Sequence, residues 1–324
     1  MATSITFNNA LDMSTLQDRS VLVTGAAAGI GLAIAAKLAE IGAWVTISDI
    51  QDQVGQAAAT NLVAKGYRVQ FVHCDVKSYQ AQVNAFKRAI EFGEGHLDIV
   101  IPNAGVMAEK NLFDMVPAEA PTMDSPPPPE PSFLGVDVNL HAAYNTCYLA
   151  MHYFRLPRNT TAVFKPNIIL ISSLAGYVGY PSSTTYSTSK FCVRGLFYGI
   201  RDRAVRSSPP VRVNLVAPWY IDTAMTQTPE FLQSEASLLL NVMGYVPMER
   251  VVDPVLRFCV DDKLHGRAAG IFPACDEDIG DDLEGGYGGK VLSKHMADVM
   301  VKAVSYMAEQ QVNALDRQDS AATG

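Results

Sequence analysis

Thr24-Gly25-Ala26-Ala27-Ala28-Gly29-Ile30-Gly31 follows the apolar run Ser20–Thr24 and opens the helix-patterned stretch Ile30–Ile41, and its reading decides the fold. A strand that turns straight into a helix needs residues that tolerate a tight bend, which glycine does for want of a Cβ. Glycines there also let the backbone approach a pyrophosphate and let the helix pack close on the strand. The helix start at Gly29, Ile30 and Gly31 offers unpaired N–H groups and a positive dipole end to phosphate charge. Gly25, Gly29, Ile30 and Gly31 are therefore expected to cradle a dinucleotide.

Outward from this junction, short runs rich in Val and Ile recur at Trp44–Ser48, Val69–Cys74, Ile99–Ile101, Asn167–Ser172 and Val211–Ala217. Continuous apolar strands of this kind suit a parallel sheet covered on both faces. Between them lie helix-period stretches at Gln53–Lys65, Tyr79–Phe92, Val136–Phe154 and Tyr186–Val205. The alternation predicts an α/β fold with a doubly wound parallel sheet and right-handed crossovers. Residues 18–273 are expected to form one domain, with an N-terminal segment over 1–17 and a C-terminal extension over 274–324. Three segments interrupt the rhythm. Pro117–Pro131 should be an exposed extended loop, since proline fixes φ and lacks a donor. Residues 222–246 carry an amphipathic helix at roughly Glu230–Met243, and the acidic Asp276–Gly289 reads as a solvated loop before a terminal helix at Lys290–Gln311.

Asp49 ends the second strand, twenty residues beyond Gly29. A carboxylate there can accept from both ribose hydroxyls of an adenosine and repels a 2′-phosphate. No Arg or Lys occupies Ala26, Ala27, Ile50 or Gln51, so NAD is expected in preference to NADP. Beyond the third strand, Asp75 can accept from the adenine amino group and Val76 can pack on its ring. Asn103-Ala104-Gly105 ends the fourth, where small residues leave room for a cofactor. Each of these is equally a turn former.

Tyr186-Ser187-Thr188-Ser189-Lys190 places a phenol and an ammonium four residues apart, on one face of a helix. Ser173 stands thirteen residues earlier, past the fifth strand, at the carboxyl edge where open α/β sheets bind ligands. A free tyrosine ionises near ~10, so work as a base near neutrality needs roughly 3–4 kcal/mol of phenolate stabilisation, which nearby cations can supply. Ser173 would hold the substrate oxygen and steady its developing charge.

In this combination the chain resembles the short-chain dehydrogenase/reductase family over roughly residues 18–272. Thr24–Gly31 matches the family's T-G-x-x-x-G-I-G, Asp75 its adenine-contacting acid, and Asn103-Ala104-Gly105 its N-A-G. Asn139, in Asp137-Val138-Asn139-Leu140, matches its catalytic asparagine, and Ser173, Tyr186 and Lys190 its serine, tyrosine and lysine. The resemblance implies a Rossmann fold with Tyr186 as general acid/base. It implies that Lys190 binds the nicotinamide ribose and that Asn139 holds a water in a proton relay. Pro218, Ile221 and Thr223, in Pro218-Trp219-Tyr220-Ile221-Asp222-Thr223, would line the nicotinamide, with Thr223 on its carboxamide. A homodimer or homotetramer built on the two long helices is implied as well. The chain departs from the family pattern at Pro102, at Trp219 in place of a glycine, and in the Pro117–Pro131 insertion.

Composition narrows the remaining classes. Of 324 residues 48% are hydrophobic, enough for a large core, and the net charge of −8 argues against a nucleic-acid surface. Met1–Arg19 has no basic segment followed by an apolar one, and no apolar run approaches spanning length, so a cytoplasmic protein with no membrane partner is expected. Cys74, Cys147, Cys192, Cys259 and Cys275 form no C-x-x-C pair, and the six histidines show no ligand spacing, so no metal is expected. The acceptor triplet Asn159-Thr160-Thr161 reads as chance. Phe231, Leu232, Leu238, Leu239, Leu240, Val242 and Met243, with Trp219, Tyr220, Tyr177 and Tyr180, would wall a pocket for a bulky apolar molecule, unless the leucines simply cover the core.

The expected function is hydride transfer between NAD and a secondary alcohol or ketone of a lipophilic small molecule. Steroid-, terpenoid- or polyketide-like compounds of secondary metabolism fit that class. The alternatives are an NADPH-dependent ketoreductase and a catalytically silent cofactor-binding protein.

Overall fold

The computed structural model describes residues 3–280 except 118, 158–163, 180–182, 235, 238–239 and 241–242. The chain divides into two units at Gly280, and every described element belongs to the first. The expected terminal helix at 290–311, Tyr180, Leu238, Leu239, Val242 and the triplet at 159–161 lie outside the described residues or in part so.

Eight strands form one sheet in the order β3-β2-β1-β4-β5-β6-β7-β8. They are β1 Ser20–Thr24, β2 Trp44–Asp49, β3 Val69–His73, β4 Ile99–Ile101, β5 Asn167–Ile171, β6 Arg212–Pro218, β7 Ala268–Ile271 and β8 Asp276–Asp278. Every neighbouring pair is parallel except β7 with β8. The helices that cover the sheet are α1 Gly29–Ile41, α2 Asp52–Val63, α3 Tyr79–Phe92, α4 Ala143–Tyr153, α5 Thr184–Ala204 and α6 Glu249–Val260. The strands read as unbroken apolar runs because both faces are covered. In β1, Val21 and Val23 join the core shared with Ile34 and Leu38 of α1 and Phe258 of α6, while Leu22 joins that of Phe86, Phe154 and Phe197. Alternate side chains thus feed opposite layers.

The order reverses between β1 and β4, because the chain builds outward to β3 before crossing to the far side of β1. Connections leaving the carboxyl ends of β1 and β4 diverge there and open a crevice.

Several expected elements differ in detail. The segment Val136–Phe154 is not one regular helix: Asp137–Ala142 form a π turn that runs on into α4. Helix α5 starts two residues before Tyr186, where Ser183 Oγ accepts the Tyr186 N–H. The helix expected over Glu230–Met243 is broken among its described residues after Pro229–Leu232. The hydroxyls of Ser234 and Ser237 there take the carbonyls of Phe231 and Leu232, a local competition that unravels helices. Asp276–Asp278 is strand β8 rather than solvated loop, because Arg250 meets Asp276 at 2.6 Å and Arg267 meets Asp278 at 2.7 Å.

Arg212, at the start of β6, is 2% exposed and donates to the carbonyls of Phe258, Cys259, Asp261 and Leu264 at the end of α6. Those carbonyls have no later helical turn to bond. Arg212→Met should therefore lower the unfolding free energy by about 2–4 kcal/mol in urea titration, and a change below about 1 kcal/mol would refute this capping role.

Candidate functional site

The crevice is built first by what is missing from its glycines. Gly25 has φ +62°, and a Cβ there would lie 2.5 Å from Ala104 Cα. A Cβ on Gly31 would lie 2.5 Å from both Asn103 Nδ2 and the Gly25 carbonyl oxygen. The loop after β1 and the loop after β4 are thus in direct backbone contact. Asn103 secures them: its Nδ2 donates to the carbonyls of Thr24 (3.0 Å) and Gly25 (2.9 Å). The N–H groups of Asn103 and Ala104 donate in turn to Thr24 Oγ1 at 3.1 and 3.2 Å. Asn103 and Ala104 brace the cradle from behind, a stronger constraint than leaving space.

Helix α1 begins after Ala28 with no side-chain cap, which leaves its first N–H groups without an intrahelical or side-chain partner and able to receive an anion. A Cβ on Gly29 would meet Thr223 Cγ2 at 3.5 Å, so the segment after β6 stands across from the cradle. Asp49 is 7% exposed; one carboxylate oxygen accepts the Ala27 N–H and the other the Gln51 N–H, both at 3.0 Å. The carboxylate is fixed against the glycine loop with lone pairs to spare. Asp75 accepts the Lys77 N–H at 3.0 Å. Val76 is buried in the core of Phe86, so little of it remains for an adenine ring. An uncapped helix start, a loop of glycines and alanines and an anchored carboxylate together fit a dinucleotide.

At the other end, Lys190 is 5% exposed and donates from Nζ to the Ile171 carbonyl at 3.1 Å. Burial lowers its pKa to about 8. Its ammonium lies 5.7 Å from the centroid of the Tyr186 ring. A Cβ on Gly105 would come within 3.6 Å of Lys190 Nζ and 3.3 Å of Asn139 Oδ1, so this glycine keeps the meeting point clear. The Asn139 amide is held at both ends: Nδ2 donates to the Val106 carbonyl and to Ser189 Oγ, both at 2.9 Å, and Oδ1 accepts the Val106 N–H at 2.7 Å. Ser173 Oγ accepts the Ala175 N–H at 3.1 Å and donates to the Pro218 carbonyl at 3.4 Å. That second bond is long and readily exchanged.

Ser173, Tyr186, Pro218, Ile221, Thr223 and Ile30 line one cavity of about 910 Å³, its open mouth included. Asp49, Asp75 and Val76 lie outside that lining, so a ligand reaching both ends is extended. The rest of the wall is mostly apolar, with Trp219, Tyr220 and Phe231 from the expected set. Met107, Leu174, Val178 and Met225 also line it. The sequence carried no pattern for these four beyond their nearness to Gly105, Ser173 and Thr223. Tyr177 instead packs beneath Arg194 at 4.1 Å. Leu240 packs with Phe231 and Ala236, while Leu232 and Met243 are exposed. Among the described residues no cluster of metal-ligating side chains occurs, and no helix is long and apolar enough to cross a membrane.

The family model for short chain dehydrogenases matches residues 19–230. A 5'-hydroxyaverantin dehydrogenase of Dothistroma septosporum is 38% identical over 291 residues, 88% of this chain and 94% of that protein. One from Emericella nidulans is 35% identical over 291 residues, 87% of this chain and 93% of its own. The crystal structure of a short chain dehydrogenase from Burkholderia cenocepacia in complex with NADP superposes with a TM-score of 0.64. It is 24% identical and covers 80% of this chain and 98% of that one, a likeness of fold.

The lowered pKa of Lys190 has a sign that can be measured. The unfolded lysine binds its proton up to about 10.5 and the folded one only to about 8, so between those values unfolding takes up protons and stability rises with pH. Relative to Lys190→Met, the protein should gain about 1–2 kcal/mol of unfolding free energy between pH 8 and 9.5 in denaturant titrations. A flat difference would show that the ammonium is not desolvated.

Proposed function

The chain belongs to the short-chain dehydrogenase family, and from that premise we propose that it is an NAD-dependent dehydrogenase of a bulky, mostly apolar secondary alcohol. The observation that carries this reading is the mostly apolar cavity with Ser173 and Tyr186 on its wall. As a family member the protein is an NAD(P)-dependent oxidoreductase acting on CH–OH groups. The finer assignments follow from its own residues.

Ser173 exchanges its long bond to the Pro218 carbonyl for one to the alcohol oxygen, and so holds that oxygen beside the phenol. Tyr186 takes the hydroxyl proton as the C–H bond breaks, and returns it in the reverse direction. Lys190 supplies the positive charge that favours phenolate, in a setting where little water screens it. The bound dinucleotide supplies the hydride acceptor. Asn139 locks Val106 and Ser189 so that Lys190 and Tyr186 keep their places. Gly25, Gly29, Ile30, Gly31 and Thr223 would hold the phosphate and nicotinamide ends, and Asp49 the adenosine ribose. Asp49 favours NAD, because a 2′-phosphate would meet a fixed carboxylate with no Arg or Lys at positions 26, 27, 50 or 51. Trp219, Tyr220 and Phe231 give the wall its aromatic surface, which suits a large lipophilic carbon skeleton. The 5'-hydroxyaverantin named for the two fungal relatives is the first alcohol to offer.

Two measurements test the assignment. With NAD⁺ and 5'-hydroxyaverantin or a panel of lipophilic secondary alcohols, nicotinamide absorbance should report turnover, and Tyr186→Phe should cut kcat by about 10³-fold; survival within a few-fold would remove Tyr186 from the chemistry. Asp49→Ala should shift the ratio of kcat/KM for NAD⁺ over NADP⁺ by about 10–100-fold towards NADP⁺. An unchanged ratio would mean that Asp49 does not select the cofactor.

A further inference from the structure

Three hydroxyl residues stand directly before Tyr186: the first caps its helix, and the other two reach distant parts of the chain. Ser183 Oγ accepts the Tyr186 N–H at 3.3 Å, and Thr184 Oγ1 accepts the Leu112 N–H at 3.0 Å. Thr185 Oγ1 donates to Glu109 Oε2 at 2.7 Å. Glu109 is 8% exposed, and its Oε1 accepts from Ser132 Oγ at 3.1 Å and from the Gly135 N–H at 3.0 Å. A Cβ at position 135 would lie 2.8 Å from Glu109 Oε2, so any side chain there would push the carboxylate aside. A carboxylate taken this far from water is stabilised by donors fixed around it.

The partners of Glu109 belong to the segments that carry the reacting groups. Thr185 is the neighbour of Tyr186 in the first turn of α5, and Gly135 leads into the π turn that holds Asn139. Glu109 itself ends a short segment whose other end, Val106, is held by the Asn139 amide through both N–H and carbonyl. Between those two anchors Met107 lines the cavity. The ends of the proline-rich insertion are gathered on the same turn, Leu112 through Thr184 and Ser132 through Glu109.

We propose that Glu109 is a positioning residue for the reaction: through Thr185 and Gly135 it fixes the first turn of the tyrosine helix against the segments bearing Met107 and Asn139. The phenol and the cavity wall then keep one separation, whatever the exposed insertion does. The proposal rests on the reading of Tyr186 as acid/base. A misplacement of reacting groups by about 1 Å costs on the order of 100-fold in rate, so loss of this carboxylate should appear in kcat before it appears in cofactor binding.

The test compares Glu109→Ala, Thr185→Val and Thr185→Ser in the full chain, with kcat on an accepted alcohol and NADH affinity from nicotinamide fluorescence. Glu109→Ala should lose about 10–100-fold in kcat with NADH affinity within about twofold. Thr185→Val, which keeps the carboxylate and its other partners, should lose less, and Thr185→Ser should restore the wild-type rate. Wild-type kcat in folded Glu109→Ala would overturn the proposal. So would equal losses of kcat and NADH affinity, or a Thr185→Ser variant no better than Thr185→Val. Should the unmodified protein oxidise no alcohol offered, the functional reading fails by itself, and hydrogen exchange decides the tether. Amides 184–187 should exchange faster in Glu109→Ala while those of α1 do not, and unchanged exchange at 184–187 would overturn it.

Discussion

The ammonium of Lys190 must remain charged at a place where burial opposes charge. Surface at 5% exposure offers little hydration, and one carbonyl, that of Ile171, receives a hydrogen bond from it at 3.1 Å. The tension is useful because a cation poorly screened by water acts strongly on the neighbouring phenol. Much of the surrounding structure keeps that position intact. Gly105 leaves the volume free, the Asn139 amide ties Val106 to Ser189, and Ser172 Oγ holds the Lys190 carbonyl at 3.1 Å. The sheet sets where this happens, since β5 delivers Ile171 and Ser173 to the edge at which β1 and β4 part.

Elements with a single dominant cause were legible in the sequence. Strands buried on both faces must be apolar throughout, and β1 to β6 were found within a residue or two on that ground. The bend between β1 and α1 was legible because its tight positions favour glycine, and the tyrosine–lysine pair because four residues span one helical turn. Where two causes compete, pattern said less. It marked neither helix α6, which carries Pro254 in its interior, nor β7, four residues with a glycine, and it misled at β8, which is acidic and paired through arginines distant in sequence. The π turn at Asp137–Ala142 leaves the apolar period almost unaltered, so nothing in the residue order announces it.

The candidate site divides along the same line. Asp49, Ser173, Tyr186 and Lys190 were candidates because their proposed chemistry needs particular groups at particular spacings. Met107, Leu174, Val178 and Met225 were missed because a wall needs only bulk, which many residues supply. Asn103 was read as a space-giver and is a brace, a distinction that depends on where its two amide hydrogens point. Long-range polar tethers of this kind leave no local signature.

The segment between Ile221 and Val246 has its two feet on one spot. Trp219 Nε1 donates to the Gly244 carbonyl at 3.2 Å, the Val246 N–H donates to the Tyr220 carbonyl at 3.0 Å, and Ile221 bridges Val246. Phe231, Ala236 and Leu240 give it a small core of its own, against Met107, Tyr220 and Tyr245. It is thus a cassette, clasped at the base and filled from within. Changes at Phe231, Ala236 and Leu240 redraw the contour offered to an incoming molecule, while Ser173, Tyr186 and Lys190 lie outside the segment, so the wall can drift over evolutionary time without altering them.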